Sequence, residues 1–296
     1  MKPPLVSVIT PSFNQGRFIE ETIKSVISQE GDFFLEYLIM DGGSTDGSVE
    51  VMERYGRLLK EGKWPIRCNG VEYKWVSEKD NGQADAVNKG FRSAKGGILG
   101  WINSDDTYIP GAIKKAKEFL EAHKDVLMVY GEGYYINEGG EIIERYPTGL
   151  DIKRLAEACF ICQPTVFLRR RVLEEVGFLD PDLHYCMDYE YWIRISKKLK
   201  MGHIGEFLAN SRLHPETKTA SKRLEACEEA VGMLKRRYGR VPSSWVFAYA
   251  HVKLENRLRR GTPFREYLFK AVWGLSSAYE YLRINGPLAR KTYNNP

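Results

Sequence analysis

In the first hundred residues, short apolar runs alternate with segments whose apolar residues recur at helical spacing, and most runs stop at Pro, Gly, Asn or Asp. That alternation is the pattern of a parallel sheet flanked by helices, because a connection between parallel strands must cross the sheet, usually as a helix. Val6–Thr10 reads as a strand stopped by Pro11; Phe18, Ile19, Ile23, Val26 and Ile27 then repeat as a helix capped by Asn14-Gln15-Gly16. Glu36–Met40 is a second strand, ending at Asp41 and the turn-rich Gly42–Gly47, and a helix follows through Val51, Met52, Tyr55, Leu58 and Leu59. Tyr73–Val76 and Ile98–Ile102 are the third and fourth strands, separated by a helix over Gly82–Ala94.

Further on, Val126–Tyr130 reads as a fifth strand, and Tyr134–Ile136 with Ile142-Ile143 as a hairpin around Asn137-Glu138-Gly139-Gly140. A strand at Thr165–Leu168 and a helix over Asp188–Lys198 complete the body, and from about Ser221 the pattern is wholly helical. The charge divides at the same place. Fifteen Lys and Arg against six Asp and Glu from Lys222 onward give the tail +9, so with a total of +5 residues 1–221 carry −4. The basic character belongs to the tail, and without a nucleic-acid-binding motif to accompany it no nucleic-acid partner is expected.

No window of 18 uncharged apolar residues spans a bilayer, and Met1-Lys2-Pro3-Pro4 runs directly into a strand pattern instead of a signal-peptide core. A cytoplasmic location is the expectation. The five cysteines are odd in number and irregularly spaced, so reduced thiols are expected, and Cys159 and Cys162 lack the second pair that a zinc site needs.

In an open α/β sheet ligands bind beyond the carboxyl ends of the strands, and acids collect there: Asp41 after the second strand, Asp80 and Asp85 after the third, Asp105-Asp106 after the fourth. Carboxylates gathered at one sheet edge repel one another unless a cation lies between them, which points to a divalent metal. Asp46 and Asp80 read as helix caps, whereas one cap does not explain the adjacent pair Asp105-Asp106.

The segments VSVITPSFNQGRFIEETIKSVISQ, YLIMDGGSTDGS, DNGQADAVNKGF, GWINSDD and MDYEYWIRI occur in the order in which the family 2 glycosyltransferases have them, over roughly residues 4–215. The chain resembles that family. The resemblance implies an α/β GT-A-like (Rossmann-like) fold, a mostly parallel sheet flanked by helices, with a helical C-terminal extension. Its catalytic domain is residues 1–220, with a nucleotide-sugar half at about 1–106 and an acceptor half at about 107–220; residues 221–296 are the basic helical extension. It further implies transfer of a sugar, with inversion, from a UDP-, GDP- or dTDP-sugar to a hydroxyl of a glycan or lipid-linked acceptor, in cell-surface polysaccharide or glycolipid synthesis.

Residue by residue, Pro11, Ser12 and Asn14 match the loop that touches the nucleotide, Asp41 the acid that recognises the base, and Asp85 a donor-site acid. Asp105 matches the ribose contact and Asp106 the ligand of a Mn²⁺ or Mg²⁺ ion bridging the diphosphate, with His214 in a loop that closes over the diphosphate or completes the metal shell. Asp188 matches the base that takes the acceptor proton, and Glu190 is a secondary candidate, to orient the acceptor. Gln163, Pro164, Trp101 and Trp192 are expected to line the sugar or acceptor site. Two positions depart from the family pattern: Asn103 stands where many members have Asp, and Met187 where a Glu is usual.

In the tail, Arg257, Arg259, Arg260, Arg265 and Lys270 are interleaved with Trp245, Phe247, Phe264, Tyr267, Phe269 and Trp273. That mixture suits anionic lipid, which would make the protein peripheral on the inner face of the membrane, and suits equally a solvated helix face. Two other functions compete with transfer. A catalytically inactive nucleotide-sugar-binding partner would not need Asp188, and a phosphatase with Asp41 as nucleophile would want an acid where Gly43 stands.

Overall fold

A computed structural model describes residues 4–258 and 263–286. The chain forms two compact units: one comprises residues up to Leu150, Phe160–Asp182 and Met187–His214; the other comprises Asp151–Cys159, Leu183–Cys186 and Pro215 onward.

The first unit is built on a nine-stranded sheet. In chain order its elements are β1 (Leu5–Ser12), α1 (Ile19–Ile27), β2 (Phe34–Asp41), α2 (Ser48–Lys60), β3 (Gly70–Ser77), α3 (Gln83–Ser93), β4 (Ile98–Trp101), β5 (Thr107–Tyr108), α4 (Ala112–Ala122), β6 (Met128–Ile136), β7 (Ile142–Arg145), β8 (Phe167–Arg169), α5 (Arg171–Val176), α6 (Met187–Ser196) and β9 (Met201–Arg212). The strand order is β3-β2-β1-β4-β8-β6-β9-β5, with β7 paired to β6. From β3 to β4 all pairings are parallel; beyond β4 the sheet is mixed, with β8 antiparallel to both β4 and β6, and β9 parallel to β6.

The central strands carry unbroken apolar runs because helices cover both faces. Val6, Val8, Ile9, Leu35, Tyr37, Ile39 and Leu99 are buried, against Ile19, Ile23, Val26 and Ile27 of α1 and Val87 and Phe91 of α3. Packing is closest at Gly90, where a Cβ would lie 2.4 Å from Ile9 Cγ2. Only a residue without a side chain lets α3 come this near β1.

Several elements differ from the sequence reading. The strands expected at Val126–Tyr130 and Tyr134–Ile136 are one, β6, which begins at Met128 and whose interior Gly131 and Gly133 look like breaks in sequence. The reading lacks β9 because its apolar alternation is disrupted by register shifts against β6 at Gly131/Glu132 and Glu132/Gly133. The strand expected at Thr165–Leu168 begins later, after a 3-10 turn at Gln163–Thr165. No side chain caps α1: Gln15 O accepts from the backbone N of Phe18 and Ile19, while Asn14, in the left-handed region at φ 52°, turns its side chain elsewhere.

The second unit contains a 3-10 turn (Ile152–Arg154) and helices α7 (Lys218–Ser221), α8 (Arg223–Tyr238), α9 (Ser243–Leu258) and α10 (Pro263–Asn285). Its core gathers Ala230, Met233, Leu234, Val241, Val246 and Ala250. Glu229 accepts hydrogen bonds from the backbone N of His184, Tyr185 and Cys186, at 2.7 to 2.8 Å. Met1 to Pro3, Arg259, Arg260, and the side chains of Phe264, Arg265, Tyr267, Phe269 and Lys270 lie outside the described residues.

Candidate active site

At the carboxyl ends of β1, β2 and β3 the loops fasten one another. Asn14 N donates to Ser44 Oγ at 2.7 Å, Thr45 N to Asn14 Oδ1 at 3.0 Å, and Gly16 N to Asp46 Oδ2 at 2.7 Å. Asp46 Oδ1 also accepts from Ser48 N and Oγ, at the first residue of α2. Burial works to raise the Asp46 pKa, but these hydrogen bonds outweigh it and hold the carboxyl below its ordinary range.

Asp41, only 2% exposed, spends its carboxylate on the turn that follows it. Oδ2 accepts from Gly43 N, Ser44 N and Ser77 Oγ, and Oδ1 from Ser44 Oγ at 2.5 Å. Gly42 N donates to Ser12 O at 2.8 Å, so the β1 loop and the β2 turn form one frame. Pro11 and Ser12 are buried in it, and Ser12 Oγ has no hydrogen-bond partner among the described residues. Phe13, next in the chain, is 60% exposed; sequence reasoning passed over it because an exposed aromatic cannot be told from a core one by type alone.

Asp80 Oδ1 accepts from Gly82 N at the start of α3. Asp85, in the first turn of α3, accepts from Asn81 N at 3.1 Å and lies 3.6 Å from Lys89 Nζ. Gln83 reaches from the same turn to Asn103 Oδ1 at 2.7 Å, which also accepts from Trp101 Nε1 at 3.0 Å. Asn103 Nδ2 faces Asp106 Oδ2 at 3.3 Å. An Asp at position 103 would accept from Gln83 and Trp101 equally well, but it would set a second carboxylate against Asp106, so the amide removes a repulsion.

The two acids of the β4 loop point differently. Asp106 is 3% exposed, its Oδ1 accepts from Arg212 N at 2.9 Å and its carbonyl accepts from Thr22 Oγ1. Burial and then the neighbouring Asp105 charge push its pKa well above the ordinary carboxylate value. Asp105 Oδ2 meets His214 Nε2 at 3.1 Å, and the His214 ring packs on Phe18 with centroids 4.8 Å apart. Among the described residues no group of three or more His, Cys, Asp and Glu side chains is arranged to hold a metal ion.

Arg212, whose side chain is fully buried, ties this corner together. Its Nε donates to Asp105 O at 2.8 Å, Nη1 to Asn137 O and Glu138 O, and Nη2 to Glu21, while the guanidinium stacks over Phe18. Sequence reading missed it because Arg212 closes a strand that itself was not legible; a buried Arg two residues before His214 is visible only in space.

Asp188 lies in the first turn of α6, half-buried, with Oδ1 accepting from Tyr189 N at 2.7 Å. Trp192, one turn further along the same face, lines a cavity of about 10 Å³ with Phe91, Leu99, Trp101, Gln163, Val166 and Leu168. The face of α6 that carries Asp188 is therefore the one packed against β4. Glu190 faces another way: both its oxygens accept from Arg194 Nε, at 2.8 and 2.9 Å, and Arg194 in turn holds Val176 O and Phe178 O. Gln163 Nε2 donates to Trp101 O at 2.7 Å, and Pro164 is buried beside it.

Relatives and solved structures agree with this architecture. A Bacillus subtilis protein provisionally named as the teichuronic acid biosynthesis glycosyltransferase TuaG is 28% identical over 214 residues, covering 71% of this chain and 79% of its own. The mannosyltransferase PcManGT from Pyrobaculum calidifontis, solved with GDP-Man and Mn²⁺, superposes with a TM-score of 0.61 at 18% identity over 96% of this chain and 87% of its own. S. aureus TarS 1-349, solved with UDP-GlcNAc, gives a TM-score of 0.59 at 13% identity over 95% and 90%. These likenesses identify the fold as GT-A, a mixed α/β sheet with flanking helices and C-terminal helices. Residues 7–177, more than half of the chain, match the family described as Glycosyl transferase family 2, and the chain belongs to that family.

Proposed function

We propose that the chain transfers a sugar, with inversion, from a nucleotide diphosphate sugar to the hydroxyl of a glycan or lipid-linked acceptor, in the synthesis of cell-surface polysaccharide or glycolipid. The observation that carries this reading is the largely buried pair Asp105–His214, which follows β4 and is braced by Arg212 from the end of β9; β4 is also the strand against which the Asp188 face of α6 packs. The name of TuaG supports a role in polysaccharide synthesis, and the ligands of PcManGT and TarS support a nucleotide-sugar donor.

The donor set fits a hard divalent ion that is completed by its substrate. Mg²⁺ and Mn²⁺ take carboxylate oxygens and are commonly held by one or two protein groups together with phosphate oxygens, and an imidazole beside the carboxylate favours Mn²⁺ over Mg²⁺. Asp105 Oδ2 and His214 Nε2 are the atoms that would hold it, with the buried Asp106 carboxylate behind them. This moves the direct contact expected of Asp106 toward Asp105, since the Asp106 oxygens already accept from Arg212 N and Asn103 Nδ2. Bound there, the ion would supply Lewis-acid neutralisation of the departing diphosphate.

The remaining steps belong to the protein. The frame around Pro11, Ser12, Asn14 and Asp41 seats the nucleotide, with exposed Phe13 offering its ring to the base, and Asp85 lies on the donor side. Asp188 takes the acceptor proton as the hydroxyl attacks opposite the diphosphate. The second unit makes a peripheral contact with the cytoplasmic face of a membrane; no described helix is long and apolar enough to cross one.

The test is a panel of UDP-, GDP- and dTDP-sugars assayed for transfer and slow hydrolysis with Mn²⁺ and with chelator. Asp188→Asn is expected to bind donor normally and lose transfer by about 10²–10⁴-fold, the usual contribution of a general base. Full transfer by that variant refutes the base, and equal turnover in chelator refutes the cation.

A further inference from the structure

The second unit carries a feature that sugar transfer does not use. Between α9 and α10 lies a cavity of about 380 Å³ lined by Lys253, Leu254, Arg257, Ser276, Tyr279, Glu280 and Arg283. Three cations and one carboxylate line it, and two of the cations pair with the carboxylate. Glu280, 3% exposed, accepts from Lys253 Nζ at 2.6 Å through Oε1 and from Arg283 Nε at 2.6 Å through Oε2, which fixes both cationic heads at the cavity. Lys253 has further ammonium protons and Arg283 its terminal N–H groups, a donor arrangement suited to phosphate oxygens.

Beside the cavity α10 exposes a row of large apolar residues: Leu275 at 74%, Tyr279 at 64% and Leu282 at 50%. The row Ser276, Glu280, Arg283 that faces the cavity and the row Leu275, Tyr279, Leu282 share the same i, i+4, i+7 spacing one residue out of phase. They therefore lie about 100° apart around the helix, with Tyr279 at the border of both. A cationic pocket edged by an exposed apolar stripe presents to one ligand what an anionic phospholipid presents to a protein: a phosphate next to an acyl region.

We propose that the groove between α9 and α10 is a binding site for an anionic phospholipid of a bilayer, its phosphate seated among Lys253, Arg257 and Arg283 and its glycerol and upper acyl region against Leu275, Tyr279 and Leu282. The proposal rests on the peripheral-membrane reading of the second unit and is independent of the transfer chemistry. A free phosphate would use the pocket but leave the stripe without a role.

The experiment is co-sedimentation of the full chain with vesicles of phosphatidylcholine alone or with phosphatidylglycerol added. Wild type is expected on the anionic vesicles only. Arg257→Ser and Ser276→Asp, which leave both Glu280 pairs in place, should each weaken binding about fivefold or more, the effect of one charge near an anionic surface. Leu275→Ser with Leu282→Ser should release the protein at equal charge, and donor hydrolysis should be unchanged in all three. A control, Lys235→Ser with Arg236→Ser, removes two exposed charges of α8 outside the pocket. If the control loses as much as the pocket variants, binding is diffuse and the site is refuted while the membrane reading survives. If wild type ignores anionic vesicles, both fall. If millimolar inorganic phosphate displaces the protein from vesicles and the stripe variant still binds them, the pocket takes free phosphate and the lipid assignment is refuted.

Discussion

Replacing Arg212 by Met removes the donors of three backbone carbonyls, those of Asp105, Asn137 and Glu138, from a side chain with no solvent exposure. Each buried acceptor left without a donor costs about 1–3 kcal/mol, and the carbonyls at the hairpin tip recover part of that from water. The ion pair to Glu21 adds little of its own, because the Glu21 side chain is 51% exposed and such pairs contribute about 0–1 kcal/mol. The sum is a loss of about 3–5 kcal/mol, within the range seen when one member of a buried charged network is deleted. At about 2–4 °C per kcal/mol for a body of this size, the melting temperature should fall by on the order of 10 °C. Thermal melts of wild type, Arg212→Met and Glu21→Gln read this directly. Glu21→Gln should melt within about 2–4 °C of wild type. An Arg212→Met protein that melts with wild type, or a Glu21→Gln protein that melts as low as Arg212→Met, refutes the assignment of the stability to the carbonyls.

Gly90→Ala drives a Cβ to 2.4 Å from Ile9 Cγ2 and should cost about 1–3 kcal/mol in a urea melt, the usual cost of overpacking. Asn103→Asp keeps the acceptor for Gln83 and Trp101 but sets a carboxylate against Asp106; its melting temperature should drop in chelator and recover with Mn²⁺, and an equal drop in both media would count against a cation at this corner. For Glu280, burial works upward but the bonds from Lys253 and Arg283 prevail, so its pKa is lowered on folding. A lowered carboxyl stabilises the fold above the unfolded value, about 4.3, and loses that contribution as pH falls through the folded value. Glu280→Gln should therefore flatten the acid limb of the melting profile below about pH 4.3, and an unchanged limb would show that the pair carries no linkage.

The parallel half of the sheet was legible in sequence because β1, β2 and β4 are buried on both faces and advertise themselves as apolar runs, although Pro11, read as the stop of the first, lies inside β1, which continues to Ser12. The same strand ends made Asp41, Asp85, Asp105 and Asp106 stand out, since loops at that edge carry polar groups for a reason. What sequence could not show is long-range. Two glycines inside β6 and the register shifts of β9 erase the periodicity that reveals a strand, and with β9 went Arg212. Nor does the chain show which way adjacent acids point: Asp105 turns to His214 and Asp106 to the backbone of Arg212, a difference that depends on contacts more than a hundred residues away. Glu190 illustrates the converse. Its position two residues from Asp188 invited a role at the acceptor, whereas the i, i+4 spacing to Arg194 already accounted for it.

The bond from Arg212 to Asp105 O spans 107 residues. During synthesis at about 5–20 residues per second, that stretch of chain takes roughly 5–20 s to emerge, and through this time the acidic loop exists without its brace. The strands that seat the loop, β1, β2 and β4, are all made by Trp101, whereas the loop itself sets only when β9, made later, docks on β6. A nascent chain shorter than about 210 residues would thus lack the brace on its acid pair, so a loop made in the first half of the chain waits for a residue of the second half before it is fixed.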